Sequence, residues 1–209
     1  MKLSVGGGES LLISWNRCWS GIGASGDWAS LKNDLVTAWN EPQRKYHTLQ
    51  HLHECLSIFE EFQHLAEHPH EVELAIWFHD AVYDIKGKNN EQKSAEWARA
   101  ALDEAGVSKE RITRIYDLIM ATEHSAMDEL DTPDKQLLVD IDLAILGSEP
   151  ARFSEYEKQV REEYSYVPGF LFRIKRRQIL RSFWDRHPIY GTPELQARFE
   201  SQARKNLSG

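Results

Sequence analysis

The stretch Ala75-Ile76-Trp77-Phe78-His79-Asp80-Ala81-Val82-Tyr83-Asp84 constrains the chain most tightly. A run of large apolar residues belongs in a core, yet this one ends in an adjacent His and Asp, with a second Asp four positions on. Titratable groups inside a core cost on the order of several kcal/mol unless something pairs with them. A divalent metal suits an imidazole beside a carboxylate, provided the rest of the chain supplies more ligands.

From Asp27 onward the apolar residues recur at helical spacing. Asp27 is suited to cap a helix carrying Trp28, Leu31, Leu35 and Trp39. A long helix is expected from Tyr46 to about Ala66, and a helix from about His70 to Ala81 carries the central motif. Asn89 or Asn90, Ser108, Thr132-Pro133 and Thr192-Pro193 are start signals for later helices, and Gly106 and Gly147 are stops. No segment alternates with period two. The expectation is an all-α domain of eight or nine helices over residues 27–209. Residues 1–26, broken by Gly6-Gly7-Gly8, Gly21, Gly23 and Gly26, read as a flexible extension.

Composition excludes several functions. A net charge of −8 argues against a general nucleic-acid binder. No apolar stretch reaches the roughly 18 residues of a membrane span, so no membrane partner is expected. Cys18 and Cys55 form no CxxC, which fits a reducing, cytoplasmic setting. The Trp and Tyr content is compatible with a homodimer face.

Further ligand candidates lie on both sides of His79-Asp80. His47 and His51 are four apart, so on a continuous helix they share a face. A lone helical histidine is ordinarily a surface or satisfied core residue; a pair on one face is less easily explained that way. Downstream, Asp140 and Asp142 sit in the apolar segment Leu137–Leu146 and are about 200° apart around a helix. One can face the His-Asp pair, and the other needs another partner.

The order His, His-Asp, Asp on helices resembles the HD-domain superfamily of metal-dependent phosphohydrolases. The blocks Tyr46-His47-Thr48-Leu49-Gln50-His51, Phe78-His79-Asp80-Ala81-Val82-Tyr83-Asp84, Asn90-Glu91-Gln92-Lys93-Ser94-Ala95, Thr122-Glu123-His124 and Asp140-Ile141-Asp142-Leu143 resemble a bacterial subgroup described as predicted metal-dependent phosphohydrolases. The resemblance implies an HD-like helical bundle with His47, His79, Asp80 and Asp142 as metal ligands. His51 stands as the alternative to His47, and Asp140 as the alternative to Asp142. A site of this mixed N/O character suits Mn, Fe, Co, Ni or Zn.

The implied reaction is hydrolysis of a phosphoester, of a nucleotide or small phosphorylated metabolite, by metal-activated water. Asp84 and Glu91 are candidates for acid–base work. His124 is a candidate for a further ligand or a phosphate contact, and Arg44 and Lys93 for holding the substrate phosphate. The basic run Arg173, Lys175, Arg176, Arg177 and Arg181 reads first as a solvated helix face. Two alternatives remain: an iron-dependent oxygenase of the HD-like type, and a non-catalytic module stabilised by metal.

Overall fold

The computed structural model describes residues 5–26, 28–123 and 130–208. Among them there are ten α-helices and no strand. They are α1 (Val5–Gly21), α2 (Ala29–Trp39), α3 (Leu49–Phe62), α4 (Pro69–Phe78), α5 (Asn90–Glu104), α6 (Lys109–Met120), α7 (Pro133–Asp142), α8 (Pro150–Glu163), α9 (Gly169–Trp184) and α10 (Pro193–Leu207). Short 3-10 turns follow α3 at Gln63–Leu65 and α7 at Leu143–Gly147. Asp27 and His124 lie outside the described residues; α2 starts after Trp28.

The core is built around α4, whose residues from Glu71 to Phe78 are all buried, as is His79 after it. It packs against α1, α3, α5, α6 and α7. Burial all round explains why its apolar run lacks an amphipathic period. Its two buried carboxylates are each held by an arginine fork, Glu71 by Arg114 and Glu73 by Arg17. Removing one partner would strand a charge in the interior.

The expected flexible extension is a helix. In α1, Leu11, Trp15, Cys18, Trp19 and, just beyond it, Ile22 are buried. Trp15 stacks on Trp19 at 5.1 Å and meets Trp77 of α4 edge-on at 5.3 Å. The Trp77 indole N–H donates to Ser14 at 3.0 Å. Glycine costs roughly 1 kcal/mol per helical position, which large aromatic burial outweighs. This helix brings the count to ten.

One expected helix begins late and another stops early, and both ends matter for the site. The helix expected from Tyr46 begins only at Leu49, because Thr48 is extended (φ −121, ψ 179) and its side chain caps the Gln50 N–H. α4 stops at Phe78, so Asp80 lies in a turn and Asp84 is not one helical turn beyond it.

If α1 is part of the core, Trp15→Ala should lower the unfolding free energy by about 3–5 kcal/mol, read by denaturant titration. A change below about 0.5 kcal/mol, the range for surface positions, would mark residues 5–22 as dispensable.

Candidate metal centre

Three elements bring four side chains together. The His51 imidazole comes from α3, His79 and Asp80 from the end of α4, and Asp142 from the last residue of α7. His51 Nε2 lies 3.2 Å from His79 Nε2 and 3.1 Å from Asp142 Oδ1. His79 Nε2 lies 3.4 Å from Asp80 Oδ2 and 3.6 Å from Asp142 Oδ1, and His51 Nε2 is 3.9 Å from Asp80 Oδ2. Both histidines are buried. His79 Nδ1 donates to the Ile76 carbonyl at 2.7 Å, which leaves the Nε2 lone pair for the cluster.

His51, Cys55, His79 and Asp142 offer donor atoms within 4.8 Å of one another, a group that could hold a metal ion. Donors bound at roughly 2.0–2.2 Å to one ion, at right or tetrahedral angles, sit about 2.8–3.6 Å apart. Four of the five separations above lie in that interval, and the Asp80–His51 pair at 3.9 Å lies just beyond it. The donor set therefore fits a cation. Charge supports this: burial disfavours the His79 cation, but Asp80 and Asp142 push its pKa up to about 9. Burial likewise opposes ionisation of Asp142, yet hydrogen bonds from His51 and His79 hold its carboxyl well below the usual range.

Cys55 has no place in the motif order, and its sulfur lies 3.7 Å from Nδ1 and 3.8 Å from Nε2 of His51. Burial pushes its thiol pKa well up. Its only sequence signal is its spacing, four residues after His51 on one face of α3.

His47 does not join the cluster. It precedes the Thr48 cap, so the shared helical face on which a His47–His51 pair depends does not form. Its Nδ1 pairs instead with Glu163 Oε2 at 2.9 Å, and its ring stacks on Tyr83 at 4.1 Å. Glu163, at the end of α8, organises this corner. Its Oε1 accepts the backbone N–H groups of Lys45, Tyr46 and His47 at 2.8, 2.9 and 3.1 Å, and Oε2 also accepts from the Tyr83 hydroxyl. No sequence pattern singled out Glu163, because its partners are backbone groups more than a hundred residues away. Burial alone would raise its pKa, but the His47 and backbone hydrogen bonds lower it to about 2. Burial also opposes charge on His47, and Asp80 and Glu163 outweigh it, so the imidazole pKa is raised.

Four other expected site residues have different work. Asp140 faces away from Asp142 and accepts from Gly191 N at 3.1 Å, Thr192 N at 2.6 Å and Gln136 at 2.9 Å, tying down the start of α10. Arg44 is buried and offers no free donor face for phosphate. Its guanidinium holds the carbonyls of Asp80 at 2.6 Å and Ala81 at 2.8 Å, pairs with Glu41, and lies over Trp39 and Tyr83. It positions the turn that carries Asp80. Asp84 is exposed and its carboxylate accepts the Lys86 N–H within its own turn. Lys93 is exposed on α5 and is not among the residues that line the cavity described next. A second acidic group, Glu67, His68 and Asp134, is accounted for by Asp134 accepting the backbone N–H groups of Glu67 and His68.

A cavity of about 550 Å³ opens beside the cluster. Asp80, Asp142, His47 and Glu91 line it together with the cations Lys88, Lys175 and Arg176. Tyrosines 46, 83, 156, 164 and 166 form much of its wall. Comparison with protein-family models, curated proteins and solved structures found no match to this chain.

The Glu163 anchor sets a pH dependence. A carboxylate whose folded pKa lies below its ordinary 4.5 contributes stability above 4.5, and that contribution is lost as pH falls through about 2. The stability gap between wild type and Glu163→Gln, on the order of 3 kcal/mol at neutral pH, should narrow from pH 4.5 towards 2. A gap that stays constant across that range would show that the anchor does not depend on the charge.

Proposed function

We propose that this protein is a metal-dependent phosphohydrolase acting on a phosphoester of a nucleotide or small phosphorylated metabolite. One observation carries the reading: buried His51 and His79 converge with Asp80 and Asp142 at a cavity whose wall also bears Lys88, Lys175 and Arg176. We read the order His, His-Asp, Asp of the HD-domain resemblance with His51 rather than His47 in first place.

Two imidazoles and two carboxylates suit Mn, Fe, Co, Ni or Zn, and His51, His79, Asp80 and Asp142 would hold the ion. When bound, such an ion acidifies water and stabilises negative charge on phosphoryl oxygens. Arg44, through the Asp80 and Ala81 carbonyls, keeps the Asp80 turn in place. The cavity's cations match the charge of a phosphate.

His47 is the group we assign to proton transfer. Glu163 fixes its Nδ1, so Nε2 is the nitrogen left to hold a proton on the cavity side. A proton from there to the leaving oxygen lets an alkoxide depart as an alcohol. Glu91, also on the wall, is the further acid–base candidate.

Phosphate release from a panel of phosphomonoesters and diesters, with Mn, Co or Ni supplied, tests the reading. His79→Ala should abolish turnover. His47→Gln should lower kcat by about 10²–10⁴ on alkyl esters and much less on p-nitrophenyl phosphate, whose leaving group needs no proton. No turnover across the panel would reject the assignment, and oxygen consumption with two irons per chain would favour the oxygenase alternative.

A further inference from the structure

The feature that the candidate centre leaves unexplained is the outer face of α9. Between Gly169 and Trp184 the chain has five basic residues and no acidic one, in a protein of net charge −8. The same helix exposes Phe170 at 59%, Leu171 at 44% and Ile174 at 54%, and only Phe183 is buried. Its two sides differ. Phe172, Arg176 and Phe183 line the cavity. On the opposite side Phe170, Ile174, Arg177 and Arg181 follow at three- and four-residue intervals and share one face. Arg176 is paired with Glu157 and Arg181 with Asp185, whereas Arg173 and Arg177 make no ion pair among the described residues.

Large apolar side chains interleaved with unpaired cations need a partner that is negative at its surface and apolar just beneath. We propose that the outer face of α9 docks on an anionic lipid bilayer. Charge decides among the occupants. A two-fold contact centred on α9 would place α9 on α9 and bring like charges together. A reciprocal contact between α9 and another copy's acidic surface would pair the arginines but set Phe170, Leu171 and Ile174 against charged groups. A nucleic-acid backbone satisfies the arginines but offers no apolar layer for Phe170, Leu171 and Ile174. A bilayer interface satisfies both halves, since basic amphipathic helices lie in it with their apolar side chains in the acyl boundary. No described helix is long and apolar enough to cross a membrane, which is a separate matter from lying on one.

The test is co-sedimentation of the full chain with vesicles of phosphatidylcholine alone or mixed with phosphatidylglycerol, at low and high salt. Each basic residue near an anionic surface is expected to raise partitioning about fivefold. Wild type should therefore pellet with the anionic vesicles, not with the neutral ones, and be released by salt. Phe170→Ser with Ile174→Ser, and separately Arg173→Glu with Arg177→Glu, should each weaken binding at least about tenfold. All four positions are solvent-exposed, so circular dichroism should show both variants folded like wild type. Absence of binding to anionic vesicles, equal binding by both variants, or a dimer or DNA complex that the same substitutions abolish would overturn the proposal.

Discussion

Two imidazoles and two carboxylates converge at the end of the most buried helix, and the rest of the structure accommodates that placement. α4 is surrounded by other helices, so its C-terminal residues enter a region with little water. There, electrostatic interactions are strong and an unpaired polar group is costly. His79 is oriented by the Ile76 carbonyl, Asp80 by the turn that Arg44 holds, and Asp142 by its position at the end of α7. Each is fixed by backbone geometry, which is how a site keeps donors within a few tenths of an ångström. A shared cation would account for all four together, including the 3.2 Å approach of the His51 and His79 Nε2 atoms.

The polar groups around the cluster divide by what they bind. Arg44, Asp140 and Glu163 are buried or nearly so, and backbone groups of distant segments take most of their hydrogen-bonding capacity. They decide where loops lie. Glu163 links this structural layer to chemistry, because the carboxylate that clamps three consecutive N–H groups also fixes the His47 ring. One carboxylate thus positions the 45–47 segment and engages Nδ1 of the His47 ring.

Much of this was legible in the sequence. Helical periodicity marks nearly every element, and the His79-Asp80 motif stands out because it closes an apolar run. The choice between His47 and His51 was not legible, since it turns on whether residues 46–48 continue the helix. A threonine cap one residue after His47 decides that, and caps act on a shorter range than periodicity. The choice between Asp140 and Asp142 depends on Gly191 and Thr192, whose N–H groups arrive from fifty residues away. Asp140 and Asp142 stand in equally apolar surroundings, so pattern alone gives them equal claims. The N-terminal helix was hidden by the glycines at both of its ends, Gly6 to Gly8 and Gly21, although its tryptophans at helical spacing carried the signal.

The central claim is that His51, not His47, completes the metal group. Elemental analysis of purified wild type, His51→Ala and His47→Ala tests it most directly. The account predicts bound metal in wild type, retained in His47→Ala and lost in His51→Ala. Loss of metal in His47→Ala with retention in His51→Ala would contradict it.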